Sequence, residues 1–132
     1  SIHDEEQLRA MVSDHNRAIL NSFVNIYIEK EKIFFDSRAK LLLYLIGITN
    51  SVRQACDQMA LSYGKAWNIL NELEENLEYA IVERKQGGSR GGNTRLTQKG
   101  LAFISAYQEF EENVIDYSHK EFERLFEKQS LL

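Results

Sequence analysis

The fold is decided by one stretch of 17 residues, Ser51-Val52-Arg53-Gln54-Ala55-Cys56-Asp57-Gln58-Met59-Ala60-Leu61-Ser62-Tyr63-Gly64-Lys65-Ala66-Trp67. Ser51 and Gln54 have the spacing of a capping box, in which each side chain satisfies a backbone N–H at the start of a helix. Ser62 can cap a second helix after the short connection Ala60-Leu61. The pattern predicts a short helix, a three-residue turn and a longer helix, which is the arrangement of a helix–turn–helix.

Apolar residues at helical spacing predict three successive helices around this stretch. The predicted inward faces are Ala39, Leu42, Leu43 and Ile46 in the first, Val52, Ala55, Cys56 and Met59 in the second, and Ala66, Leu70, Leu73 and Leu77 in the third. Asp36 or Ser37 can cap the first helix, and Gly47 is a plausible end for it.

Three further elements are predicted before and after these helices. Residues 1–22 are predicted to hold a helix with an apolar stripe, and residues 23–28 and 32–35 a β-hairpin with a charged turn. A long helix is predicted to begin after Thr97, and we assign residues 97–132 to it. Its apolar seam comprises Phe103, Tyr107, Phe110, Val114 and Tyr117, followed by a shifted stripe of Phe122, Leu125 and Phe126.

Residues 81–96 contain four of the seven glycines, in the segment Gly87-Gly88-Ser89-Arg90-Gly91-Gly92-Asn93-Thr94. A nucleotide-binding phosphate loop would need a lysine where Asn93 stands, and a helix directly after the loop. A flexible linker is a second interpretation. The strand-like residues on both sides favour a third, the tip of a β-hairpin, because glycine accepts the positive φ angles of a tight turn.

Charge is unevenly distributed along the chain. The 132 residues carry a net charge of −4, yet residues 84–99 hold five basic side chains and no acidic one. This cationic segment includes the glycine-rich hairpin, as expected for a surface that meets phosphate groups.

Composition excludes several classes of protein. The apolar run 41–46 is far too short to cross a bilayer and no signal peptide is visible, so we expect a cytoplasmic protein. The single cysteine, Cys56, excludes an internal disulfide framework. His3, His15 and His119 show no metal-ligand spacing. No catalytic constellation is discernible, and we expect neither an enzyme nor a cofactor.

The exposed side of the third helix carries the candidate residues for contacting bases or phosphates. If its apolar residues face inward, the opposite side presents Tyr63, Gly64, Lys65, Trp67, Asn68 and Asn71. Lysine can address guanine or a phosphate, and asparagine can bond adenine bidentately. Whether Trp67 packs into the core or meets the bases is open, as is whether Lys65 and Asn71 are only solvated. Gly64, a poor helix former, suggests close approach to another backbone.

Several motifs together resemble one family. They are Ser51-Val52-Arg53-Gln54-Ala55-Cys56, Leu61-Ser62-Tyr63-Gly64-Lys65-Ala66-Trp67, Val82-Glu83-Arg84, Gly87-Gly88-Ser89-Arg90-Gly91-Gly92 and Leu96-Thr97-Gln98-Lys99-Gly100. They resemble the DNA-binding domain of the molybdate-responsive ModE-type regulators, in the LysR-like winged-helix group, over residues 24–115. Nothing after the long helix resembles that family's β-rich molybdate-binding domain, so molybdate sensing is not implied and any effector is unknown.

The resemblance implies a mainly α protein with small β-hairpins, a winged helix–turn–helix with N- and C-terminal dimerisation helices. Residues 1–22 and 97–132 would form the homodimer, and residues 23–96 the domain that binds double-stranded DNA, with its wing at 81–96. The predicted DNA contacts are Ser51, Arg53, Ser62, Tyr63, Lys65, Trp67, Asn68, Asn71, Arg84, Lys85, Arg90 and Arg95. The alternative hypothesis is a winged-helix module that binds a protein partner through its aromatic C-terminal stripe.

Overall fold

The computed structural model describes residues 21–84 and 93–132. Residues 25–112 form one compact unit, and residues 113–132 belong to a second together with residues 21–24. The predicted N-terminal helix, except for its last two residues, lies outside the described residues. So does the tip of the wing with Lys85 and Arg90, and what the sequence predicts for both segments stays a prediction.

The described elements follow the predicted order. They are β1 Ile28–Glu29, β2 Ile33–Phe35, α1 Ser37–Thr49, α2 Val52–Met59, α3 Tyr63–Leu77, β3 Val82–Arg84, β4 Thr94–Leu96 and α4 Gln98–Phe122, followed by the π-helical turn Glu123–Glu127. β1 pairs with β2 and β3 with β4, each pair antiparallel. The predicted class, mainly α with small hairpins around a helix–turn–helix, is confirmed.

The helices begin where the sequence predicts. The Asp36 carboxylate accepts from the Ala39 backbone N–H at 2.9 Å, and the Ser62 hydroxyl accepts from the Lys65 N–H at 3.2 Å. The Ser51 hydroxyl accepts from the Gln54 N–H at 3.1 Å. Only half of the predicted capping box forms there, because the Ser51 N–H donates to the Thr49 hydroxyl instead.

The prediction that α1 ends at Gly47 is wrong. The helix continues to Thr49, and Asn50 ends it in the left-handed region at φ 54°, where its N–H donates to the Ile46 carbonyl. Gly47 has a different reason to be small. A Cβ at this position would lie 3.2 Å from Cδ1 of Leu96, so the missing side chain lets the second wing strand pack closely on α1.

The first strand is shorter than predicted and begins at Ile28 rather than at residue 23. The preceding backbone is tied to a helix instead of to a strand, since the carbonyl of Ile26 accepts from the Tyr107 hydroxyl at 2.9 Å. A register shift between Ile28 and Glu29 also interrupts the pairing. Ile26 and Ile28 are half-buried and Val24 is exposed, so the alternation of apolar residues does not mark an extended β-ladder here.

The hydrophobic core lies between the three helices, the base of the wing and the first half of α4. Phe35, fully buried, contacts Phe103 and Tyr107 edge-to-face, with ring centroids 4.9 and 4.7 Å apart. Aromatic pairs prefer this geometry. Buried apolar side chains from the helices complete the core: Ala39, Leu42, Leu43, Ile46, Val52, Ala55, Cys56, Ala66, Leu70, Leu73 and Ile104. Burial raises the pKa of the Cys56 thiol, which favours its neutral form.

The seam predicted along α4 divides into two parts. Tyr107 is buried and Phe103 packs against the core, whereas Phe110 and Tyr117 remain 56% and 65% exposed. Ile104, which was not among the predicted seam residues, is also buried. The first part of the stripe is thus used within the described fold, and the second part is left on the surface.

The second unit is small in its described part. The hydroxyls of Ser22 and Ser118 lie 3.2 Å apart, and the rings of Phe122 and Phe126 stack with centroids 5.2 Å apart. The Tyr117 hydroxyl donates to the Glu121 carboxylate, which also pairs with Arg124. In the described residues, none of the helices has the length and apolar character needed to cross a membrane.

Two helical glycines provide a matched test of this packing. Gly100 is buried, and a Cβ there would overlap the carbonyl of Ile81, whereas a Cβ at Gly64 would meet no atom within 4 Å. We expect Gly100→Ala to lower the free energy of unfolding by about 1–3 kcal/mol through overpacking. Gly64→Ala should raise it by roughly 0.5–1 kcal/mol, because alanine loses less backbone entropy. Urea unfolding measures both, and equal effects of the two variants would contradict this account of the core.

Candidate nucleic-acid interface

The helix α3 has one buried side and one exposed side. Ala66, Leu70 and Leu73 are fully buried, so the opposite side is turned to solvent. Lys65, Asn68 and Asn71 are all exposed on that side, together with the predicted candidates Ser62 and Tyr63; Gly64 is also exposed. These side chains carry hydrogen-bond donors and acceptors of the kind that address base edges and phosphates. The structure thus leaves Lys65, Asn68 and Asn71 free of the core, whereas Trp67 is half-buried.

Two arginines and two aromatic rings lie next to one another along this side. The guanidinium carbon of Arg53, on α2, lies 5.0 Å from the ring centroid of Tyr63, and that of Arg84, on β3, lies 4.1 Å from the ring of Trp67. The two rings meet edge-to-face with centroids 6.2 Å apart. We call these four residues the arginine–aromatic cluster. It connects three elements, α2, α3 and the wing, through cation–π and aromatic contacts.

The structure shows where the side chain of Trp67 lies. Its side chain is half-buried and packs against the core, while one side of the ring faces Arg84. Its indole Nε1 is buried and has no hydrogen-bond partner among the described residues. An unpaired buried donor costs about 1–3 kcal/mol. The described chain offers the ring a specific partner in the guanidinium of Arg84.

The wing is a short regular hairpin in its described part. Val82 pairs with Leu96, Glu83 with Arg95 and Arg84 with Thr94. Successive side chains of a strand point to opposite faces, so Arg84 and Arg95 lie on opposite faces of the hairpin. Both are exposed. The two arginines can therefore meet different parts of a ligand, and only Arg84 belongs to the arginine–aromatic cluster.

The base of the wing is held by hydrogen bonds centred on Ile81. Its N–H donates at 2.8 Å to the carboxylate of Glu74, on α3, which also accepts from the Val82 N–H at 3.2 Å. The carbonyl of Ile81 accepts from the Thr97 N–H at 2.8 Å. Thr97 in turn caps α4, because its hydroxyl accepts from the Gly100 N–H at 2.9 Å. One buried residue thus links α3, the wing and α4.

A second anchor ties the wing to the helix–turn–helix. The N–H of Thr94, a buried residue of β4, donates to the Asn50 carbonyl at 3.1 Å in the turn between α1 and α2. Ser51, which follows Asn50 in this turn, was predicted to contact DNA. It is buried, and its hydroxyl is engaged as the cap of α2. In this conformation Ser51 positions the turn, and its hydroxyl is less available to a ligand than that of exposed Ser62.

The role of Glu74 and the pairing of Arg53 with Tyr63 were not predicted from the sequence. Glu74 lies between Leu73 and Leu77 in the inward stripe of α3, and a carboxylate beside buried leucines is a usable signal for a backbone partner. The Arg53–Tyr63 contact left no comparable signal, because it joins two helices whose crossing is set by the core. Of the twelve predicted site residues, ten are described, and Lys85 and Arg90 are not.

These elements define a winged helix–turn–helix: two short helices, a longer third helix exposed on one side, and an antiparallel hairpin packed beside it. The chain is similar to the DNA-binding transcriptional dual regulator ModE of Escherichia coli strain K12, with 36% identity over 78 residues. The aligned part is 59% of this chain and 30% of that relative. The predicted resemblance to ModE-type regulators is therefore confirmed.

Solved structures support the same fold. The DNA-binding domain of BenM in complex with a benA site DNA superposes with a TM-score of 0.52 at 18% identity, covering 70% of this chain and all of that one. CbnR, a LysR family transcriptional regulator, gives 0.52 at 17% identity, covering 67% of this chain and 29% of that one. At these identities the likeness establishes the fold alone. No model of a protein family matches the chain.

The hydrogen bonds of Glu74 to the wing can be tested by substitution, with the neighbouring Glu75 as the control position. Glu74→Ala leaves the N–H groups of Ile81 and Val82 without their acceptor, and we expect the free energy of unfolding to fall by about 1–3 kcal/mol. Glu74→Gln should cost less, because the amide oxygen still accepts. Glu75→Ala, which removes an exposed carboxylate, is the control and should change little. Hydrogen exchange at the amides of Ile81 and Val82 gives the local measurement, and unchanged protection in Glu74→Ala would refute the anchor.

Proposed function

We propose that the chain is a sequence-specific DNA-binding transcription regulator that acts as a homodimer in the cytoplasm. The ModE-type regulator that it resembles is named as DNA-binding, and the BenM domain that it superposes on is a complex with DNA. The chain aligns with only 30% of the length of that regulator, so the proposal concerns this winged-helix part. No ligand other than DNA follows from it.

The proposal depends most on one contact, the cation–π contact of Arg84 with Trp67. Trp67 lies between Lys65 and Asn68 on α3, so this contact brings the wing strand beside the exposed side of the same helix. A major groove about 12 Å wide admits an α-helix, while the flanking backbone presents phosphates to basic groups. A helix and a cationic hairpin on one side of a domain match these two features of the duplex.

The roles of the individual residues follow from their chemistry. Lys65, Asn68 and Asn71 would address base edges in the major groove from α3. Arg84 and Arg95 would contact the phosphate backbone from the wing, and Lys85 and Arg90, outside the described residues, would extend these contacts. Arg53, Ser62 and Tyr63 flank the start of α3 and would meet the backbone beside the groove. Base contacts would set the sequence preference, and phosphate contacts most of the affinity.

The homodimer is proposed from the exposed part of the α4 seam. Phe110 and Tyr117, seven residues apart on this helix, are more than half exposed. Large apolar side chains at this spacing are typical of an interface between helices. Two copies paired along α4 would carry two α3 helices, and dimers of this kind bind half-sites about 34 Å apart.

DNA binding can be tested by selecting binding sites from random duplex DNA, followed by titration. If six to eight phosphates are contacted per dimer, log Kobs should fall with log salt at a slope of about −5 to −7. Lys65→Ala and Asn68→Ala should lower the preference for the selected site by about 1–3 kcal/mol relative to random DNA. Arg90→Ala should weaken all sequences alike. Lys30→Ala, in the turn of the first hairpin, is the control lysine. No selected consensus, or no salt dependence, would rule out the function.

The dimer needs a separate experiment. Phe110→Glu places a charge on an exposed position, so we expect retained helicity and a shift from dimer to monomer in light scattering. Leu41→Glu, at an apolar position of α1 exposed to a similar degree, is the control and should stay dimeric. A wild-type protein that is monomeric at micromolar concentration would contradict the proposal, and would favour the alternative of a module that binds another protein.

A further inference from the structure

The contact between Trp67 and Arg84 has a more specific role than adding affinity. The guanidinium carbon lies 4.1 Å from the centroid of the indole ring, close enough for the ring and the cation to touch. Tryptophan is the aromatic side chain that attracts cations most strongly. The rings of Tyr63 and Trp67 meet edge-to-face, at a centroid distance of 6.2 Å and an angle of 75°. Trp67 thus contacts a ring on its own helix and a cation on the wing.

The indole is poorly suited to a purely structural role at this position. Its Nε1 is buried and finds no acceptor in the described part of the chain. Buried donors are nearly always paired in folded proteins, and an unpaired one needs an explanation. A phenylalanine or leucine would occupy much of the same half-buried space without a polar atom. What tryptophan adds is a larger and more electron-rich face, and that face is the part that Arg84 contacts.

The backbone of Arg84 is already fixed by the hairpin pairing with Thr94 and by the anchor at Ile81. Its side chain has several rotatable bonds, and ordering it costs conformational entropy whenever it binds. A guanidinium held against a ring by its face still presents its N–H groups at the edge, in the plane that suits a phosphate. Among the described residues, no carboxylate lies within 4.0 Å of this arginine to compete.

We propose that Trp67 is a positioning residue, which holds the guanidinium of Arg84 in place so that the wing grips a phosphate at a fixed distance from the groups of α3. This inference rests on the proposed function, because the ligand of Arg84 is a phosphate of the DNA backbone. Trp67 itself needs no contact with a base. Its effect on binding passes through Arg84.

A double-mutant cycle tests this coupling. The dissociation constant for the selected duplex is measured for the wild type, Trp67→Leu, Arg84→Gln and the double variant. We expect each single change to weaken binding by roughly 3- to 30-fold, the range of a cation–π contact. The double variant should bind as Arg84→Gln does, because nothing is left for the ring to hold. Additive losses would overturn the proposal.

Two further variants distinguish a positioning role of Trp67 from a role in folding and from a general effect of positive charge on the wing. Trp67→Phe keeps an aromatic face and removes the unpaired donor, so it should bind between wild type and Trp67→Leu while its melting temperature is unchanged or higher. Arg95→Gln removes a wing arginine on the opposite face of the hairpin. Its loss should add to that of Trp67→Leu. A melting temperature of Trp67→Phe that falls in proportion to its affinity would assign the ring a packing role only.

A spectroscopic test is independent of DNA. Trp67 is the single tryptophan of the chain, so tryptophan fluorescence reports on the surroundings of this ring. Arg84→Gln in the free protein should change the emission intensity and increase quenching by acrylamide, whereas Arg95→Gln should change neither. If this result is obtained but no duplex binds, the contact stands and the proposed function fails. If emission is the same in both variants while DNA binds, the positioning role fails and the function stands.

Discussion

The arrangement of this domain depends on the backbone of Ile81. This residue is fully buried, and its N–H and carbonyl are both used, by the carboxylate of Glu74 and by the N–H of Thr97. A buried peptide group requires partners for both its donor and its acceptor. Here the partners come from the helix before the wing and from the start of the helix after it. The wing therefore cannot change its angle to α3 without breaking hydrogen bonds in the core.

Gly100 makes that junction possible, since any side chain on it would overlap the Ile81 carbonyl. Gly47 has the same function on α1, where it admits Leu96 of the second wing strand. Both glycines are small because another element passes close by, and neither holds an unusual backbone conformation. Gly64 is different, since the described chain leaves the space around it empty. Its position at the exposed start of α3 agrees with the close approach of a ligand there.

The charge at the exposed side of the helix–turn–helix differs from the net charge of the whole chain. The chain as a whole is acidic, yet Arg53 and Arg84 are placed against aromatic rings at the exposed side of the helix–turn–helix. Stacking leaves the charge of an arginine intact while it restricts the side chain. An ordered cation loses less entropy when it meets a phosphate than a freely rotating one. The rings thus act on the geometry of the basic groups and leave the net charge unchanged.

The sequence by itself determined the order and type of the elements. Caps at Asp36, Ser51 and Ser62, the apolar periods of three helices and the glycine-rich hairpin all depend on neighbouring residues, so local patterns sufficed to predict them. The extent of the first strand and the end of α1 were misjudged, because Tyr107 and Asn50 satisfy backbone groups that the pattern assigned elsewhere. Tertiary structure alone decided which residues from different elements meet: Glu74 with Ile81, and Arg84 with Trp67. These contacts join positions at least seven residues apart, and their geometry is fixed by how the helices pack, which no local spacing encodes.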